Sequence, residues 1–243
     1  EIALTALLAR LRQAAPPGTR FGVQLAHAGR KASAQRPWEG GRALQPEQDP
    51  WATVAPSALP FAEGWHTPAV LDDAGLARVR DAFVQAAERA ARIGFDVVEL
   101  HAAHGYLLHA FLSPLANHRS DAYGGSAEAR LRFPVEVAMA VRAALPAHVA
   151  LGARISGSDY GEGGFTVDEA VTHAAALKAA GAVFVCVSGG GHVARPNIHP
   201  EPGYQVPMAA RIREGAAIAT RAVGLIVDPQ QAERIVATGD ADM

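Results

Sequence analysis

Val97-Val98-Glu99-Leu100-His101-Ala102-Ala103-His104-Gly105-Tyr106 is the stretch from which the fold is read. It opens as an apolar, β-branched run suited to a strand buried on both faces, and its polar residues gather where that strand runs out. Two imidazoles three residues apart, followed by a phenol, supply hydrogen-bond donors and a hydroxyl able to give up a proton. Such a set can grip a carbonyl or anionic oxygen and deliver a proton to a nearby carbon. Other chemistry fits the same residues. A histidine at a strand end is commonly structural, and His101 with His104 can ligate zinc, with Glu99 or His109 as a third ligand. On this stretch alone the alternatives stay open.

Outward from it, short β-branched runs alternate with amphipathic helical patterns. The spacing predicts strands over 21–26, 96–101, 149–156, 183–188 and 223–228. One helix places Leu76, Val79, Phe83, Ala87, Ala90 and Ile93 on a single face and closes at Gly94. Another covers about 127–145. A third opens with the capping box Thr166-Val167-Asp168-Glu169 and ends at Gly181. A short helix is expected over 208–214, and a last one starts at Asp228-Pro229 and ends by Gly239.

Strands that alternate with helices pair in parallel, because a helix must cover each crossover. A doubly wound sheet and a (β/α) barrel both satisfy that rule. Ser188-Gly189-Gly190-Gly191-His192 is glycine-rich, but no dinucleotide-type helix follows it. Gln24 and His27, Glu99 and His101, Arg154 and Ser156, and Ser188 all fall near C-terminal strand ends, the face on which barrels collect reactive groups. The reading is therefore an α/β TIM (β/α)8 barrel. Residues 29 to about 71 form a connection rich in Pro, Gly and Trp, expected to be a lid with a small aromatic cluster or hairpin of its own.

The 243 residues suit one large domain, and the apolar fraction of 49% is ordinary for a globular protein. A net charge of -2 and a pI near 6.6 argue against a nucleic-acid partner, and the apolar runs are too short or too interrupted for a membrane span. Cys186 is the single cysteine; it lies in an apolar run, rules out a disulfide within the chain and fits a reducing cytoplasm. The chain opens on Glu1 and stops at Asp242-Met243 on the approach to what reads as another strand, so it is expected to be cut at both ends.

Four blocks in order carry a resemblance: Gln24-Leu25-Ala26-His27-Ala28-Gly29-Arg30-Lys31, then His101-Ala102-Ala103-His104-Gly105-Tyr106, then Phe111-Leu112-Ser113-Pro114, then Asn117-His118-Arg119-Ser120-Asp121-Ala122-Tyr123-Gly124-Gly125-Ser126. With Arg154 after the next strand, they resemble the old yellow enzyme family of FMN-dependent ene-reductases, closest to its bacterial xenobiotic-reductase and NADPH-dehydrogenase branch. The resemblance implies FMN as cofactor, NADPH as reductant, and an activated C=C bond of an enone or a related nitro compound as acceptor. Gln24 would contact the flavin pyrimidine edge, and Arg154 would hold a permanent positive charge near flavin N1 and O2. His101 and His104 would bind the substrate oxygen, and Tyr106 would protonate the α-carbon.

Lys31 and Arg30 would lie beside the site without being catalytic, and the 117–126 block with Arg130 and Arg132 would shape the barrel rim. The glycines at 189–191 would admit flavin or its phosphate, and the helix after Asp228 would offer backbone N–H groups to phosphate, with the Asp228 side chain turned away. No resident metal is implied. Five strands, about the third to the seventh, are present where a closed barrel needs eight. The residues that the first two strands and the eighth bring to the flavin lie outside 1–243, so this chain alone is expected to fold poorly or to hold flavin weakly. A homo-oligomer is expected of the full-length protein.

Overall fold

The connection pattern read above is realised strand by strand in a computed structural model that describes residues 1–194 and 196–243. Helix α1 (Ile2–Ala14) leads into β1 (Gly22–Leu25), and the long connection that follows holds the short strands β2 (Val54–Ala55) and β3 (Ala69–Val70). Then α2 (Asp73–Ile93), β4 (Val97–Ala102), α3 (Leu107–Leu112), α4 (Ala127–Ala144) and β5 (Ala150–Ser156) follow. The chain continues through α5 (Val167–Ala179), β6 (Phe184–Ser188), α6 (Val206–Ala216), β7 (Ala219–Ala222) and α7 (Pro229–Ala237). The main sheet runs β1-β4-β5-β6-β7, every pair parallel, so each crossover carries its helix to the same side. This is an arc of a (β/α) barrel. Beyond β7, the N–H groups of Asp242 and Met243 bond the carbonyl of Thr220, and the Ala222 N–H bonds the carbonyl of Met243.

Local chemistry sets the helix ends. The Asp72 carboxylate accepts the Gly75 N–H at 2.7 Å to start α2, and Gly94 at φ 103° stops it in a conformation an L-residue resists. Thr166 and Glu169 cap each other at the start of α5 as the sequence predicts. Helix α1 and the six-residue α3 are not predicted from the sequence. Apart from Leu8, the α1 residues stay outside the core, so no periodic burial announces it.

Strand parity divides the sheet into two chemically distinct faces. Val98, Leu100, Leu151, Ala153, Ile155, Val185 and Val187 point to the helix layer and are buried there. Burying each large apolar side chain contributes about 1.5–3 kcal/mol. Phe111 and Phe133 fill the layer beyond them, with ring centroids 4.5 Å apart. The alternate residues face the barrel interior. Gln24 registers with Glu99, and His101 registers with Arg154, then Cys186, then Arg221. Period-2 alternation therefore gathers the polar set on one face.

One sequence expectation is corrected and a second is met in part. The last strand is Ala219–Ala222, four residues ahead of the predicted 223–228 run, because Gly224 at φ 113° and Leu225 at φ 54° cannot continue an extended strand. The shift brings Arg221 into the sheet. In the long connection, Phe61 and Trp65 do meet edge to face at 4.9 Å, but Trp38 and Trp51 are exposed and join no cluster. In place of a hairpin it has a parallel two-residue pair and an isolated antiparallel bridge between Ala34 and Ala43. Arg119 clamps it by donating to the carbonyls of Pro56 (3.2 Å) and Leu71 (2.7 Å).

Candidate active site

The pair His101 and His104 sits where β4 ends. His101 Nδ1 accepts the Ala103 N–H at 3.2 Å, which leaves the ring proton on Nε2. That nitrogen lies 3.3 Å from His104 Nδ1, so His104 carries its own proton on Nε2, 2.8 Å from Ser188 Oγ. Burial, then the charge of Arg154, pushes the His101 pKa down to about 4. Burial, His101 and Arg154 push His104 down to about 3. Both rings are thus neutral donors at pH 7. Tyr106 stacks on His101 with centroids 4.6 Å apart.

A strained turn presents these groups. His104 has φ 58° and Gly105 has φ 73°. A Cβ at Gly105 would stand 2.7 Å from the Gly191 carbonyl oxygen, so only glycine fits there. Ser156 Oγ accepts the His104 N–H at 3.1 Å. Lys31 Nζ donates to the carbonyls of His104 (2.9 Å) and Gly191 (2.6 Å), which joins three barrel loops. Burial, with Arg30 adding to it, lowers the Lys31 pKa to about 8.

Arg154 extends from β5 on the interior face. Its Nη2 is 3.5 Å from Ser188 Oγ, its buried Nε has no partner, and no carboxylate among the described residues pairs with it. Gln24 lies one register step deeper, on the exposed edge strand, and its Nε2 donates to Glu99 Oε1 at 2.7 Å. Arg221 reaches across the interior to pair with the other oxygen of Glu99 and lies 5.4 Å over the Phe184 ring. Gly152 makes room for that ring, since a Cβ there would come within 2.2 Å of it.

The structure therefore brings His101, His104, Tyr106 and Arg154 together, with Gln24 below them. The zinc arrangement is not formed: Glu99 is engaged by Gln24 and Arg221, and His109 Nε2 is 3.1 Å from Asp159 Oδ1. The 189–191 glycines are approached by the protein itself, by Tyr160, Ile198 and the His104 backbone. Asp228 does not turn away from its helix, because its carboxylate accepts the Gln230 N–H at 3.0 Å. The 117–126 block is structural as read: Asn117 Nδ2 bonds the carbonyls of Phe111 and Tyr123, and Ser126 caps α4. Sequence reasoning missed Arg221, hidden by the misplaced strand, and the partners Asp159 and His192 of His109. Asp159 follows a strand end and could have been flagged on that ground; His192 carried no such signal.

Comparison with known proteins agrees with this geometry. A family model described as NADH:flavin oxidoreductase / NADH oxidase matches residues 11–243. An NADPH dehydrogenase of Geobacillus sp. (strain WCH70) is 44% identical over 226 residues, covering 93% of this chain and 61% of its own length. One of Listeria innocua is 42% identical over 228 residues, 93% of this chain and 62% of its own. Among solved structures, morphinone reductase superposes with a TM-score of 0.74 at 27% identity, over 98% of this chain and 63% of that one. A 2-naphthoyl-CoA reductase complex gives 0.84 at 25% identity, over 99% and 37%. The chain thus spans about three fifths of the NADPH dehydrogenases it matches.

Proposed function

We propose that this chain, which belongs to the NADH:flavin oxidoreductase / NADH oxidase family, carries the substrate-gripping part of a flavin site. There, NAD(P)H is oxidised and the activated C=C bond of an α,β-unsaturated carbonyl or nitro compound is reduced. The observation that carries this reading is a pair of neutral imidazole donors beside a half-buried guanidinium whose Nε is orphaned and which has no carboxylate partner among the described residues. Arg154 with its orphaned Nε suits an electron-rich, anion-forming ring, so the residues present fit FMN. When bound, FMN would supply the hydride-transfer chemistry between nicotinamide and acceptor. Arg154 would hold positive charge against the flavin, and Gln24 would offer its amide to the pyrimidine edge. His101 and His104 bind the substrate oxygen, and their Nε2 protons exchange each other and Ser188 Oγ for it. As negative charge grows on that oxygen, two donors already fixed in place stabilise it with little reorganisation. Tyr106 gives its phenolic proton to the α-carbon.

The connection over 29–71 serves as a lid in this reading, and residues 1–243 act as one partial barrel domain. The partners are NADPH and a small-molecule acceptor in the cytoplasm, with a homo-oligomer for the full protein. No described helix is long and apolar enough to cross a membrane. The test uses the full natural protein loaded with FMN: NADPH should bleach the flavin, and 2-cyclohexenone or a nitroalkene should reoxidise it. Replacing His101 or His104 by Ala should slow reoxidation by about 10²-fold with NADPH bleaching retained. Bleaching with no reoxidation by any enone or nitroalkene would overturn the acceptor class, and absence of bleaching would overturn the whole reading.

A further inference from the structure

Behind the His101–Tyr106 turn lies a second cluster that this mechanism leaves unused. His109, Asp159 and His192 are fully buried, and each offers a ligand atom within 4.8 Å of the others. The arrangement looks like a metal trio, but the outward nitrogens decide against it. A metal-binding imidazole donates its other N–H to an acceptor. Here His109 Nδ1 instead receives the Gly105 N–H at 2.9 Å, and His192 Nε2 receives Arg30 Nη2 at 3.2 Å. Both outward nitrogens are therefore acceptors. The protons must sit on His109 Nε2 and His192 Nδ1, which are donors and not ligands.

The His109 proton faces Asp159, whereas the buried His192 Nδ1 has no hydrogen-bond partner. Asp159 Oδ2 is already engaged by Ser113 Oγ (2.6 Å) and the Phe165 N–H (2.8 Å). Its Oδ1 stands 3.1 Å from His109 Nε2 in a close but bent contact, and it has no other partner. Burial alone would raise the Asp159 pKa, but hydrogen bonding from His109, the adjoining imidazoles and Ser113 hold it well below the usual carboxylate range. His109 passes the constraint on. Its Nδ1 takes the Gly105 N–H and lies 3.4 Å from Ser156 Oγ, the atom that accepts the His104 N–H. His192 does the same for the neighbouring loops, because Arg30 Nη2 also bonds the His192 carbonyl at 3.2 Å and Arg30 Nη1 bonds that of Pro60 at 3.3 Å.

We propose that Asp159 is a positioning residue, a buried anion that holds His109 in its Nε2–H tautomer and thereby fixes the strained His104–Gly105 turn, while Arg30 sets the opposite tautomer in the adjoining His192. The role assigned to that turn rests on the function proposed above, whereas the tautomers do not. The test is ring-nitrogen NMR of the full natural protein labelled with ¹⁵N-histidine, His109 and His192 being assigned by single His→Gln variants. His109 should appear as the Nε2–H form and His192 as the Nδ1–H form, with no change on adding zinc. Asp159→Asn puts a donor against one of its present donors whichever way the amide faces. It should disturb the His109 ring signals and shift the His104 backbone amide, while Ser113→Ala, which keeps the carboxylate, leaves the tautomers in place.

The reverse tautomers, or zinc taken up with loss of the ring protons, would overturn the proposal. So would an Asp159→Asn protein whose His104 amide stays put. If that variant does not fold, the wild-type tautomers alone decide. None of these readouts needs flavin or turnover, so failure here is separable from failure of the proposed reaction.

Discussion

His173 offers a quantitative test of how this interior treats charge. It sits on α5 with no exposed surface, and neither ring nitrogen has a hydrogen-bond partner. Burial, with the nearby His109 ring adding to it, pushes its pKa down to about 3. The folded state therefore refuses a proton that the unfolded chain accepts near pH 6.5. Stability contributed by the neutral ring is intact well above pH 6.5 and is lost as pH falls below it, at up to about 1.4 kcal/mol per pH unit, until the folded-state pKa is reached. Between pH 7 and pH 5 this one histidine should cost about 2 kcal/mol. His173→Leu keeps the volume close and removes the titration. Its stability relative to the parent protein should improve by about 2 kcal/mol on going from pH 7 to pH 5, a relative melting-temperature gain of about 4–8 °C. Thermal unfolding of both proteins at both pH values measures it. Parallel pH dependences for the two proteins would refute the claim that a neutral, unpartnered ring is held there.

Three further outcomes follow from the same geometry. Gly152→Ala would press a methyl into the Phe184 ring, and it should cost about 1–3 kcal/mol in urea unfolding unless the ring can leave the barrel interior. Asp72→Ala removes the carboxylate that caps α2 and should cost about 1 kcal/mol, whereas Asp72→Ser should recover most of it. Lys31 has a folded-state pKa near 8, below its ordinary value, so stability should rise with pH from about 8 to 10.5 as the folded and then the unfolded amine loses its charge. In Lys31→Met that rise should be absent from melting curves taken across the window.

Much of the fold is legible in residue order because parallel β/α units are local. The face of α2 from Leu76 to Ala90, the Thr166–Glu169 box and the apolar strands β4, β5 and β6 each satisfy their own periodicity before any tertiary contact forms. The run Val223-Gly224-Leu225-Ile226-Val227 misled because β-branched composition is only a weak prior, and two positive-φ residues override it. Helix α1 gave no signal for the opposite reason: almost none of its surface is buried.

For the site, the sequence by itself determined which chemical groups stand at the strand ends: Gln24, His101, His104, Tyr106 and Arg154, in the order a barrel requires. It did so because strand alternation and short loops confine a residue to one face and one rim. Protonation and partnership belong to the tertiary structure alone. That His101 and His104 are neutral depends on burial and on Arg154, 50 or more residues away in the chain. That Glu99 pairs with Arg221, and that His109 and His192 converge on Asp159 where a metal reading had placed His109 beside His101, depends on curvature of the sheet and on close approach of four loops. Desolvation and through-space hydrogen bonding set these properties, and neither is encoded in any window of neighbouring residues.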